Sequence, residues 1–241
     1  MSLCFGAQIQ ALSWLNLIGI LMMAKRGNEP MDYEIYQKGD QPKTMVFMLH
    51  GYGSNGRDLV TLAPELSDSI DDIIFISPNG CEFFEGGEWG CFQWYSLMNR
   101  TEEAMFDAGA IATKHVEELM NQCVAEYNID WTNVFVMGFS QGCALTLHLS
   151  YRLPNKIGGV IGVCGRLNAP DRLDTELVNR PDAILIHGQE DNVVPPIAME
   201  MAAAALKSHD VNVVTHLRPK LAHGIDAGTV MLINQFLKGR V

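Results

Sequence analysis

Val134-Phe135-Val136-Met137-Gly138-Phe139-Ser140-Gln141-Gly142 decides the fold. Four apolar residues of buried-strand type run into a glycine-flanked serine, and a helical pattern begins directly after it. A strand that turns within two or three residues into a helix is the unit of a parallel sheet covered by helices. Outward from this point the same alternation recurs. Thr44 to Leu49, Ile73 to Ile76, Gly159 to Val163 and Ala183 to Ile186 read as further buried strands, and Val211 to Leu217 as a last one. Helices are expected after Ser140, after Pro196 and after Asp226. Another should run from Thr101, where Met105, Ala108, Ala112, Val116, Leu119, Cys123 and Tyr127 recur at steps of three and four. The class is α/β, with a mostly parallel sheet and helices on both faces. Asp32 to Tyr36 alternates and meets a turn at Gly39-Asp40-Gln41-Pro42, so it is expected to pair with the following strand as an antiparallel edge hairpin.

The pattern Gly138-x-Ser140-x-Gly142 carries chemistry only in this setting. A sharp turn between strand and helix lifts the serine hydroxyl off the sheet edge, and the glycines leave room for the strained backbone. The N–H of Gln141 then lies at a helix N-terminus, where a developing oxyanion is stabilised. Alone, the same serine could be an ordinary helix N-cap.

A serine hydroxyl needs a base, and the base needs a group to orient it. On this fold they follow in the order Ser, acid, His. Glu190 and Asp191 both lie in the loop after the strand ending at Ile186, and Asp191 is preferred because Asn192-Val193-Val194-Pro195-Pro196 constrains the backbone after it. Glu190 reads as a solvated carboxylate. Of the histidines beyond Asp191, His209 sits at a helix end and His216 within a strand, whereas His223 hangs in a loop between strand and helix. The second oxyanion donor is expected from the glycine loop His50-Gly51-Tyr52-Gly53, as the N–H of Tyr52. His50 itself is expected to hold that loop.

These residues resemble the acyl-protein thioesterase and carboxylesterase family of α/β-hydrolases, also called the phospholipase/carboxylesterase family, over about residues 43 to 238. The likeness rests on Leu49-His50-Gly51-Tyr52-Gly53, on Ser77-Pro78-Asn79 with a later tryptophan-aromatic pair, on the serine motif, on His187-Gly188-Gln189-Glu190-Asp191-Asn192-Val193-Val194-Pro195, and on His223-Gly224. It implies the α/β-hydrolase fold, a Ser140, Asp191, His223 triad, oxyanion donors at Tyr52 and Gln141, no cofactor, and often dimers. It implies acyl esters, lysophospholipids or S-acylated proteins as substrates, and at that family position it suggests Trp94 and Tyr95 as pocket residues. Tyr52, Ser54-Asn55 and Cys143 depart from the commoner residues of the family, which bears on pocket shape rather than on backbone roles. Other readings of the same fold are a serine peptidase, a dienelactone-type hydrolase, or a binding protein without activity.

The 241 residues carry a formal net charge of −11 and are 48% hydrophobic. That field repels phosphate backbones, and no basic cluster reverses it, so nucleic acid is excluded as a partner. No histidine or carboxylate spacing makes a metal-ligand set. Six cysteines without a C-x-x-C pair read as reduced, buried thiols and a cytoplasmic setting, with a Cys81–Cys91 bridge as the alternative. Residues 1–30 read as an extension outside a hydrolase domain of residues 31–241. Its apolar part, Ala11 to Ala24, is short of the roughly 20 residues a membrane span needs. It lacks the charge order of a signal peptide. An anchor, a packed helix, or a true start at Met22, Met23 or Met31 are the readings, the last preferred.

Overall fold

The computed structural model describes residues 31–240, so the expectations for the N-terminal extension lie outside the described residues. A seven-stranded sheet forms the centre. Its strands are β1 (Tyr33–Lys38), β2 (Thr44–Leu49), β3 (Ile73–Pro78), β6 (Val134–Phe139), β7 (Gly159–Val163), β8 (Ala183–Gly188) and β9 (Val213–Arg218), in the spatial order β1-β3-β2-β6-β7-β8-β9. The two-residue strands β4 (Glu82–Phe83) and β5 (Phe92–Gln93) pair separately within the loop of residues 79–101, which carries Phe83, Phe84, Trp89, Phe92, Trp94 and Tyr95 and is the aromatic loop of the molecule. All neighbours in the main sheet run parallel except β1 and β3.

The helices are α1 (Gly56–Val60), α2 (Ala63–Leu66), α3 (Glu102–Tyr127), α4 (Gln141–Ser150), α5 (Leu173–Glu176), α6 (Ile197–Ser208) and α7 (Ala227–Lys238). Alternation along the strands divides the core between two faces. Met45, Phe47 and Leu49 of β2 pack with residues of α3, α4 and α6, whereas Val46 and Met48 pack with residues of α1, α2 and α7. The apolar runs of β2, β3, β6, β7 and β8 are buried on both sides because both faces are covered, whereas the last strand, β9, lies at the sheet edge and leaves Val214, Thr215 and Leu217 exposed. Among the described residues no helix is long and apolar enough to cross a membrane.

The antiparallel edge is present, but the partner of β1 is β3 and not the next strand in sequence. The connection at 39–43 crosses the start of β3 instead of folding back tightly. Gly39 makes this possible, with φ +85° and no room for a Cβ, which would lie 2.5 Å from Asp72 Oδ1. The Lys43 N–H donates to the Asp72 carbonyl at 2.6 Å, and its ammonium meets the Asp72 carboxylate at 2.8 Å. Crossing one intervening strand means spanning about 10 Å, which five extended residues reach and a two-residue turn does not.

The other end of the sheet is locked by Asp226, the N-cap of α7. Its Oδ1 accepts from the Thr229 N–H at 2.7 Å, and its Oδ2 accepts from Arg218 Nη2 at 2.9 Å. Burial opposes ionisation of this carboxyl, but the hydrogen bonds from Arg218 and Thr229 outweigh it and bring the pKa down to about 2. A depressed carboxyl contributes stability above its unfolded pKa and loses it as pH falls through the folded one. Asp226→Ala is therefore expected to lower unfolding stability by about 1–2 kcal/mol at pH 7. In urea melts, the deficit should shrink as pH falls from about 4 toward 2.

Candidate active site

Ser140 stands between β6 and α4 with φ +55° and ψ −113°, a backbone that a non-glycine residue adopts only where its surroundings enforce it. Both flanking glycines are sterically required. A Cβ on Gly138 would lie 2.2 Å from the Gly142 carbonyl oxygen, and one on Gly142 would lie 2.0 Å from that of Leu49. The Ser140 N–H donates to the Val163 carbonyl at 2.9 Å, which pins the turn to the end of β7.

The loops after β8 and β9 bring the two expected partners to this serine. Gly188 lets them approach, since a Cβ there would meet the carbonyl oxygens of Ala222 and Leu221 at 2.2 and 2.4 Å. Two backbone bonds stitch the loops together, Gln189 N–H to the Arg218 carbonyl and Glu190 N–H to the Leu221 carbonyl, each 2.9 Å. The result is an unbroken chain of contacts. Ser140 Oγ lies 2.9 Å from His223 Nε2, and His223 Nδ1 lies 2.7 Å from Asp191 Oδ2. The Phe139 ring packs against the His223 imidazole at 5.0 Å between centroids. His223 keeps 17% of its side chain exposed, while the Asp191 carboxylate is fully covered. Glu190 is exposed, as a solvated carboxylate should be.

The buried Asp191 carboxylate is saturated with donors. Its Oδ1 accepts from the N–H groups of Val193 and Val194, both at 2.9 Å, and its Oδ2 lies 3.2 Å from His187 Nε2 besides His223. Burial works against the charge. The hydrogen bonds from His187, His223 and Val194 overcome it and hold the carboxyl well below the usual carboxylate range.

The glycine loop on the other side of Ser140 is held by His50, as expected. The ring is fully buried, and burial pulls its pKa down to about 4, so it is neutral. Its Nδ1 donates to the Gly51 carbonyl at 2.7 Å, and its Nε2 accepts from the Gly80 N–H at 2.9 Å. Tyr52 is tied to the aromatic loop through its hydroxyl, which donates to Glu85, and through an edge-on contact with Phe84 at 4.9 Å. Among the described residues no hydrogen bond occupies the backbone N–H of Tyr52 or of Gln141.

Trp94 and Tyr95 lie in the core instead of lining an open groove, at 1% and 4% exposure. The Trp94 indole donates to the His50 carbonyl at 2.8 Å. The Gln141 side chain joins this wall to the serine turn, accepting from the Trp94 N–H at 3.0 Å and donating to the Tyr95 carbonyl at 2.7 Å. Sequence reasoning considered only the main chain of Gln141, and a glutamine at a helix start gives no local sign of a partner 46 residues away. The exposed apolar side chains of the aromatic loop region are Phe83, Trp89 and Met98.

Cys164, His187 and Asp191 bring ligand atoms within 4.8 Å of one another, a cluster that no sequence spacing announces. Its atoms are already engaged internally: Cys164 Sγ with the Gly224 carbonyl, His187 with Val194 and Asp191, and Asp191 with four donors. Burial also pushes the Cys164 thiol up to about 11, against the thiolate a metal would need. The set suits a hydrogen-bonded support better than a metal centre. Cys81, Cys91, Cys123, Cys143 and Cys164 are all free thiols, so the Cys81–Cys91 bridge is absent, and Cys81 is exposed where a buried thiol was expected.

Residues 31–240 match the Phospholipase/Carboxylesterase family. The chain belongs to that family. Acyl-protein thioesterase 1 homolog 1 of Dictyostelium discoideum is 26% identical over 202 residues, covering 80% of this chain and 88% of the relative. Acyl-protein thioesterase 1 of Saccharomyces cerevisiae is 28% identical over 165 residues, 64% of this chain and 72% of the relative. The crystal structure of esterase PE8 superposes with a TM-score of 0.83 at 27% identity, covering 88% of this chain and 99% of that one. This phospholipase/carboxylesterase family member thus has the α/β-hydrolase fold and is a hydrolase of the ester-cleaving class.

The Gln141 bridge yields a stability prediction. Gln141→Leu should leave the buried N–H of Trp94 and carbonyl of Tyr95 unpaired and lower unfolding free energy by about 2–4 kcal/mol in urea melts. A loss below about half a kcal/mol would show that neither group depends on the side chain.

Proposed function

We propose that this family member cleaves acyl esters or thioesters through a Ser140, His223, Asp191 triad. The observation that carries the reading is the continuous chain from Ser140 Oγ to His223 Nε2 at 2.9 Å and from His223 Nδ1 to Asp191 Oδ2 at 2.7 Å. With its Nδ1 proton donated to Asp191, the neutral imidazole presents an Nε2 lone pair to the serine hydroxyl. His223 takes the hydroxyl proton as Oγ attacks the acyl carbonyl. The unoccupied N–H groups of Tyr52 and Gln141 receive the negative charge that develops on the carbonyl oxygen. His223 then hands its proton to the departing alcohol or thiol. Water, deprotonated by the same histidine, releases the acid and restores the serine.

The substrate class proposed is the acyl ester or thioester of a lipid or an acylated protein. The names of the thioesterase relatives motivate the thioester part. Catalysis is assigned to residues 31–241, without residues 1–30 and without a cofactor. The free thiols suit a reducing, cytoplasmic setting.

Ser140→Ala and His223→Ala should each lower kcat on p-nitrophenyl acyl esters by about 10⁴- to 10⁶-fold. Ser140→Ala should also abolish labelling by a fluorophosphonate probe. Activity retained in the folded Ser140→Ala protein would overturn the assignment. A panel of acyl esters and acyl thioesters of increasing chain length, assayed on the parent enzyme, identifies the preferred leaving group.

A further inference from the structure

Asp191 Oδ2 serves two imidazoles, and the mechanism above uses only one of them. His187, at the end of β8, is 1% exposed and points its Nε2 both at Asp191 Oδ2, 3.2 Å away, and at the Val194 carbonyl oxygen, 2.9 Å away. An imidazole carrying a proton on Nε2 satisfies both acceptors with one shared N–H. If its task were only to brace the loop, the Val194 carbonyl would be enough. The contact with the carboxylate oxygen that also holds His223 is what a bracing role leaves unexplained.

We propose that His187 is a positioning residue for the hydrolysis, setting through its Nε2–H the direction and charge of the Asp191 oxygen that orients His223. The proposal rests on the triad reading. Oδ1 is anchored by the N–H groups of Val193 and Val194, so the carboxylate can still rotate about the line between that oxygen and its own chain. The His187 N–H supplies a second point of restraint, at Oδ2 itself. It also withdraws electron density from Oδ2 and so moderates the pull of Asp191 on the His223 proton. His187 is four residues before Asp191 and is the penultimate residue of β8, so the strand places the donor and the loop places the acceptor.

The ionisable groups around this contact are few. Cys164, at the end of β7, is a thiol pushed up to about 11 by burial. Cys143 on α4, which lines a small cavity together with His187, is raised by burial as well. Both stay neutral across an ordinary assay range. Glu190 in the same loop and Glu200 on α6 are exposed, the Cys164 thiol also contacts the Asp191 carboxylate, and from the loop after β9 His223 hydrogen-bonds to it.

Two variants separate the positioning role from a structural one. His187→Gln carries an amide nitrogen near the site of Nε2, whereas the amide of His187→Asn stops near the site of Nδ1 and cannot reach Asp191. Both are to be checked for a parental thermal transition and for fluorophosphonate labelling, and Ser140→Ala is assayed beside them. His187→Asn is expected to lower kcat about 10- to 100-fold with KM little changed. Its acid limb of kcat/KM should move up by about half a pH unit or more, because Oδ2 then pulls harder on the His223 proton. His187→Gln should recover most of the rate and return the limb toward that of the parent. A limb that stays in place or moves down in His187→Asn, or equal behaviour of the two variants, would overturn the proposal while leaving the triad intact. Ser140→Ala retaining activity would instead remove the triad reading on which it stands.

Discussion

The left-handed backbone at Ser140 is the constraint on which the rest of the molecule depends. A non-glycine residue at φ +55° and ψ −113° costs of order 1–3 kcal/mol, so the surroundings must impose it. They do so from three sides. The end of β7 accepts the Ser140 N–H, and the carbonyl of Leu49 at the end of β2 packs where a side chain on residue 142 would stand. The third side is α4, buried along its whole length, so that the helix cannot shift to relax the turn. The strain at one residue is held by the packing of the central strands. That is why the serine lies at the middle of the sheet and not at an edge.

Once the turn is fixed, each loop beyond it has to be brought in at close range, and each solution is a local one. The loop after β2 is braced by a neutral histidine whose two ring nitrogens are both occupied, with Trp94 as a further clamp on its backbone. The loops after β8 and β9 meet over Gly188, where any side chain would collide with Leu221 and Ala222. Gln141 then ties the aromatic loop to the serine turn from inside. None of these devices touches a reacting atom in the proposed reaction, yet they define where the hydroxyl, the imidazole and the two free N–H groups stand relative to one another.

Much of this arrangement is legible in the chain. The buried strands appear as short apolar runs, the helices as steps of three and four, and the turn as glycines either side of a serine between the two patterns. Candidate partners follow from the order in which such a sheet delivers its loops. What is not legible depends on neighbours distant in sequence. The partner of β1 is decided by a crossing over β3 and not by the turn residues at 39–42. Trp94 and Tyr95 look like pocket residues by position, but the Trp94 indole bonds to the His50 carbonyl, the Tyr95 hydroxyl to Asn168, and the main chain of both to Gln141, and both side chains are buried. His187 looks like the end of a strand, since nothing in Leu-Ile-His-Gly shows that Asp191 folds back beneath it.

The buried charge at the site is balanced without a cation. The protein carries a formal charge of −11, and its one fully covered carboxylate at the site, Asp191, is compensated by four N–H donors rather than by a cation. Dipolar donors neutralise a buried charge without bringing a formal positive charge beside the serine. A lysine or arginine in their place would attract the carboxylic acid product and lower the pull of Asp191 on the imidazole. In the proposed reaction, uncharged backbone amides likewise suit the other side of the serine, where an oxyanion would exist only during the reaction. Fixed N–H groups stabilise it then and, being uncharged, hold no anion tightly before or after.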